Sequence, residues 1–155
     1  MASDENPVSA EMNFHGATPI LSVRELETSI DYYVRRLGFR LNWVEETSGF
    51  ASVSRGQCHI FLCQGDQGCS GTWLWVGVGD AKALCEEFRA SGATIRHPPT
   101  NYAWAYEMQV EDPDGHVLRF GSEQKSDEPV GEWLDARGRR WRKLPEGTWT
   151  QADGD

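Results

Sequence analysis

Long apolar runs are missing from this chain. None approaches the roughly 20 residues that cross a bilayer, and residues 1–16 have neither a basic start nor an apolar centre. The expectation is therefore a cytoplasmic protein that does not engage a membrane. Paired cysteines are missing too. Cys58, Cys63, Cys69 and Cys85 contain no Cys-x-x-Cys spacing, so buried or idle thiols are expected rather than a zinc site or a disulfide framework. Basic residues are scarce: 15 Lys and Arg against 24 Asp and Glu leave a net charge of −9. That balance argues against nucleic acid and anionic lipid as partners, while a cationic small molecule is electrostatically welcome. What the chain has in quantity is tryptophan, with seven, and glycine, with sixteen.

The sharpest local signal is Asp112-Pro113-Asp114-Gly115 between two apolar runs. Proline presets the first central position, the aspartates close the turn and glycine takes positive φ, so a hairpin is predicted across 106–110 and 116–121. Upstream, 72–78 alternates as a strand and 81–90 carries Leu84, Cys85 and Phe88 on one helical stripe. Gly92 then acts as a stop, and 93–97 is a strand ended by Pro98-Pro99. The first half repeats this plan. Residues 17–23 form a strand, Leu26, Ile30, Tyr33, Val34 and Leu37 form a helical stripe before Gly38, and 39–45, 50–54 and 58–63 are strands. The fold class is therefore α+β, with two βαβββ modules at 17–63 and 72–121. Residues 1–16 are a polar arm, and 124–155 a C-terminal extension with a terminal hairpin around Asp135-Ala136-Arg137-Gly138.

A four-stranded sheet with one helix on one face leaves its other face bare, and two such faces can close on each other within a chain or across a dimer. Alternation places His59, Phe61, Cys63, Trp73, Trp75, Gly77, Glu107, Gln109, Val117 and Arg119 on those faces. Leu74, Val76, Val78, Leu118 and Phe120 fall beneath the helices. His59 with Glu107 is the weak candidate for acid–base chemistry, although nothing in spacing brings them together. Arg119 and Glu107, on neighbouring strands, read as a buried ion pair. His116 is expected on the helix side or in solvent, and His97 at a strand end. Asp112 and Asp114 are assigned to the turn. Trp133, Trp141 and Trp149 are expected to pack over the domain or a partner subunit.

Residues 17–123, with Arg24-Glu25-Leu26 entering a helix that ends Leu37-Gly38-Phe39, the duplicated unit and Asp112-Pro113-Asp114-Gly115, resemble the glyoxalase/bleomycin-resistance/extradiol-dioxygenase (vicinal-oxygen-chelate) superfamily. The resemblance implies a curved mixed sheet and a homodimer. It also implies four metal-ligand positions, which fall here on Thr18, Phe61, Trp73 and Arg119. A weak hydroxyl, two aromatic rings and a cation do not suit a divalent ion, so no metal and no other cofactor is expected. Pro19-Ile20-Leu21, Tyr32-Tyr33, Trp73-Leu74-Trp75-Val76 and Glu107 are similar to the bleomycin-resistance branch, whose drug-stacking aromatics correspond to Phe50 and Trp104.

The resulting expectation is a protein that binds and sequesters a small aromatic or cationic ligand, using Trp104, Phe50, Phe61, Trp73, Trp75, Tyr102, Glu107 and Arg119. Glu45, Glu46, Glu107 and Glu111 would supply an acidic wall. The alternatives are a lyase- or dioxygenase-type enzyme of the same fold, or a binding or sensor module without a resistance role.

Overall fold

A computed structural model describes residues 12–152. The first module contains β1 (Ile20–Ser22), α1 (Leu26–Asp31), β2 (Arg40–Glu45), β3 (Phe50–Arg55) and β4 (Cys58–Cys63). The second contains β5 (Trp73–Gly77), α2 (Ala81–Ser91), β6 (Thr94–Asn101), β7 (Tyr106–Glu111) and β8 (Val117–Ser122). Each forms a four-stranded mixed sheet, in the orders β1-β4-β3-β2 and β5-β8-β7-β6. In both, the first strand pairs parallel with the last, and the remaining pairs are antiparallel.

The repeat extends to the hydrogen bonds that launch each helix. Val23 N–H donates to the Cys63 carbonyl, and Val78 N–H to the Gly121 carbonyl, both at short range (2.9 and 2.8 Å). The free amides at the helix starts are then met from the end of the last strand. Leu26 N–H donates to Gln64 Oε1 at 2.7 Å, and Ala81 N–H to Ser122 Oγ at 3.1 Å. Asp80 adds an N-cap by accepting from Ala83 N–H. The first helix widens after one and a half turns into a π-helical segment over Tyr32–Arg36, an irregularity that periodicity at 3.6 does not reveal. Both helices end where Gly38 and Gly92 take φ of 71° and 82°.

Alternation sorts the side chains as expected. Leu21, Ala51, Val53, Ile60 and Leu62 from the first sheet share one buried core with Met108, Val110, Leu118 and Phe120 from the second, together with Tyr33, Leu37, Cys85 and Phe88 from the helical segments. The modules are locked by buried polar groups. Tyr33 Oη donates to Asp112 Oδ2 at 2.9 Å, and burial beside that carboxylate pushes the phenol well above its ordinary range. Asp112 Oδ1 accepts from the amides of Asp114 and His116, so the aspartate closes its turn as predicted. His116 is fully buried rather than solvent-facing. Its Nδ1 accepts from Thr72 N–H, so Nε2 carries the proton and donates to the Ser22 carbonyl at 2.7 Å.

Two strand expectations change. β6 runs through Pro98-Pro99 instead of stopping before them, with register shifts around His97. It is an edge strand, where a missing N–H costs no ladder bond. The extension forms a three-stranded antiparallel sheet, β9 (Trp133–Leu134), β10 (Arg140–Lys143) and β11 (Trp149–Gln151). The hairpin around Asp135 is present, and β11 is a third strand beyond it.

Candidate functional site

The extension lies over the second sheet, on the face away from α2. Asn101 anchors its start: Nδ2 donates to the carbonyls of Lys125 and Glu128, and Oδ1 accepts from Lys125 N–H. Gly131 follows, where a Cβ would run into Thr100 Cγ2, so the lack of a side chain lets the two segments approach without moving Thr100. Tyr102 Oη then donates to the Glu132 carbonyl at 2.7 Å, Gln109 Nε2 to the Leu134 carbonyl at 2.9 Å and Arg96 Nη2 to the Asp135 carbonyl at 2.6 Å. Burial pushes the Tyr102 phenol up.

Beneath this cover Glu107, 1 % exposed, receives Arg119 through a two-pronged pair, Nε to Oε2 and Nη2 to Oε1, each at 2.8 Å. The fork fits a carboxylate and neutralises it where water is excluded. Trp104 Nε1 also donates to Glu107 Oε1. One face of Trp104 stacks on Tyr102 at 4.7 Å and 4°. Trp133 stands edge-on to both, at 5.6 Å from Tyr102 and 5.9 Å from Trp104, and its own face carries the Arg119 guanidinium at 4.9 Å. Trp149 lies 6.4 Å from Trp104. Together Trp104, Arg119, Trp133, Asp135, Trp141 and Trp149 line a cavity of ≈ 640 Å³.

Asp135 holds the far wall. Its Oδ1 accepts from the amides of Arg137 and Arg139, and its Oδ2 from Arg139 Nε and Trp141 Nε1. The Trp141 indole and these further donors hold its carboxyl well below the usual carboxylate range.

The structure thus brings Trp104, Tyr102, Trp73, Glu107 and Arg119 together, with Trp73 6.2 Å from Trp133. Trp75 is exposed at the edge strand and lies over Gly121. Phe50 and Phe61 are elsewhere: on the open face of the first sheet they cluster with Trp43, at 6.2 Å and 5.6 Å from its ring. Two expected groupings do not form. His59 is an exposed residue of β4 that lines a separate cleft with Thr18 and Trp75, whereas Glu107 is buried in the other sheet with its oxygens engaged by Arg119 and Trp104. The acidic wall is likewise dispersed. Glu45 bonds Ser48 in the β2–β3 turn, Glu111 ends β7, and Glu107 is beneath the extension. Alternation assigned faces within strands, but it carried no information on which sheet covers which.

Sequence reasoning placed Trp133, Trp141 and Trp149 as packing over the domain and did not give them a cavity. The available signal was their even spacing, eight residues apart, with Gly138 and Gly147 between them as turn residues. Among the described residues, no three His, Cys, Asp or Glu converge in a group that could hold a metal ion. At the four positions implied by the resemblance the donors are a threonine hydroxyl, two aromatic rings and a guanidinium already bound to Glu107. That set does not fit a divalent cation.

The model of the Glyoxalase/Bleomycin resistance protein/Dioxygenase superfamily matches residues 15–120. The chain belongs to that superfamily. Among solved structures of the superfamily fold, a bleomycin-binding protein from bleomycin-producing Streptomyces verticillus, complexed with copper(II)-bleomycin, is 24 % identical with a TM-score of 0.62, covering 73 % of this chain and 99 % of that one. TnmS3, an antibiotic binding protein from Streptomyces sp. CB03234, is 20 % identical with a TM-score of 0.60, covering 70 % and 97 %. TioX from Micromonospora sp. ML1 is 21 % identical with a TM-score of 0.59, covering 73 % and 99 %. No curated protein sequence matches. Superfamily membership accounts for the two modules, and the family match ends at residue 120, before the extension begins.

Proposed function

We propose that this chain is a cytoplasmic binding protein that takes up a small, flat aromatic molecule and holds it without metal and without chemical change. The observation that carries this reading is the cavity walled by Trp104, Trp133, Trp141 and Trp149 beside the Arg119–Glu107 pair. Indole faces stack on flat rings with little regard to substituents, and a concave apolar site with few polar groups is the usual form of a small-molecule pocket. The likeness to a bleomycin-binding protein and to an antibiotic binding protein supports the same role. An enzyme of the same fold is the competing reading. It loses ground because His59 and Glu107 are on different sheets.

Isothermal titration with 2-naphthol and with metal-free bleomycin tests the reading, accompanied by elemental analysis of the purified chain. Saturable binding of an aromatic probe, recovered unchanged after incubation, is the expected result. Replacing Trp104 by alanine should weaken it by about 1 kcal/mol. Conversion of the probe, or a stoichiometric metal surviving dialysis, would transfer the case to the enzyme. A homodimer would use the open face of the first sheet, where the exposed ring of Trp43 clusters with Phe50 and Phe61. We propose that a second copy packs there. Sedimentation of Trp43→Asp, expected as a monomer beside a dimeric parent, tests this.

A further inference from the structure

Resting on that reading, the charge of the ligand can be taken further. We infer that the tryptophan-walled cavity accepts an aromatic ring bearing an anionic or carbonyl acceptor, in preference to the cationic ligand that the net charge of −9 suggests.

The carboxylates nearest the cavity are already occupied. Glu107 Oε1 accepts from Trp104 and Arg119, and its Oε2 from Arg119 again. Each oxygen of Asp135 accepts twice, from Arg137 and Arg139 on one side and from Arg139 and Trp141 on the other. At Glu107 Oε1 and at either Asp135 oxygen an incoming ammonium would have to displace a donor, and at Glu107 Oε2 it would lie against the Arg119 guanidinium. It would also meet Arg119, which already occupies the face of Trp133 that a cation would seek.

Donor capacity is left over instead. Arg119 uses Nε and Nη2 on Glu107, while its Nη1 donates to no acceptor among the described residues. The side chain is 26 % exposed and lines the cavity. A guanidinium with unused N–H groups beside stacking surfaces suits a carboxylate, phenolate or carbonyl oxygen on a flat ring. The overall negative charge acts over a longer range. Salt screens it beyond about 8 Å, so it slows the approach of an anion without cancelling the local pairing.

The walls of this site come largely from the extension. Trp133, Asp135, Trp141 and Trp149 all lie beyond residue 120, where the family match ends. The extension thus adds the stacking walls, while the donor that selects an acceptor-bearing ring, Arg119, belongs to the superfamily fold of the same chain.

The test compares 2-naphthoate, 2-naphthylmethylammonium and neutral 2-naphthol by isothermal titration against the full chain and against Trp149→Ala, Trp141→Ala and Arg119→Lys. The expected order has naphthoate about tenfold tighter than the ammonium compound, the size of one charge-assisted hydrogen bond. Trp149→Ala should weaken all three probes. Arg119→Lys keeps the charge, loses the fork and should reduce the preference for naphthoate. If that variant misfolds by circular dichroism, the parent's probe order and the tail variants still decide. Ammonium binding as tight as naphthoate overturns the inference and leaves the aromatic site standing. Naphthoate binding unchanged in both Trp149→Ala and Trp141→Ala overturns it by placing the ligand elsewhere. Failure of all three probes, 2-naphthol included, overturns the aromatic-site reading itself.

Discussion

The two four-stranded sheets follow one chain plan and present opposite surfaces. Phe61 in β4 and Arg119 in β8 occupy equivalent places, each two residues before the carbonyl that receives the valine amide following the first strand. On the first sheet that position joins Trp43 and Phe50 in an aromatic cluster, with Trp43 45 % exposed. On the second it forms an ion pair with Glu107 beneath a third sheet. An apolar face can wait for any complementary cover. A face holding a buried carboxylate cannot, because every oxygen taken from water needs a donor at a fixed place. The second face is therefore specified by individual hydrogen bonds, and the first by area.

Removing the polar partner should break this contrast most forcefully. Arg119→Ala leaves Glu107 buried and unpaired, and should cost about 3–5 kcal/mol. Phe61→Ala, which removes a half-buried ring, should cost about 2 kcal/mol. Urea unfolding of the two variants checks the difference, and equal losses would mean that the ion pair contributes no more than packing. Tryptophan truncation gives a smaller contrast. Trp133 bridges Trp73, Tyr102, Trp104 and Arg119, so Trp133→Ala should cost about 2–3 kcal/mol. Trp43→Ala on the exposed face should cost below about 1 kcal/mol.

Acid offers the gentlest comparison. The Asp135 carboxyl lies well below its ordinary value because of the Trp141 and Arg139 donors, and exposed Glu45 is lowered by Ser48. A carboxylate whose pKa is depressed on folding contributes stability that is complete above its unfolded value and lost as pH falls through the folded one. The third sheet should accordingly loosen only under strongly acid conditions, seen as a red shift in tryptophan emission. Asp135→Asn should remove that acid-dependent step. A shift already complete near the ordinary aspartate range would contradict the assigned partners of Asp135.

Much of the architecture was legible locally. Period-2 alternation separated Leu118 and Phe120 from Arg119, glycines marked the helix ends, and Asp112-Pro113-Asp114-Gly115 marked the hairpin. The adjacent pair Glu107 and Arg119 was readable because both face the same way on neighbouring antiparallel strands. That His59 and Glu107 stay apart was not readable, since the bare faces of two modules can close on each other, and only the fold shows the extension covering the face of Glu107 instead. Nor was the continuation of β6 through two prolines, which depends on its edge position.

Sequence alone determined the duplicated βαβββ modules and the side of each strand that meets the helices, because backbone geometry and side-chain period operate over a few residues. Only the tertiary structure decided that residues 133–151 cover the second sheet and leave the first open. It also decided that Glu107 and Asp135 have no unused oxygen while Arg119 retains donors. Those outcomes depend on hydrogen bonds between segments such as Gln109 and Leu134, or Arg96 and Asp135. Their partners are fixed by the closed fold, and no local periodicity encodes them.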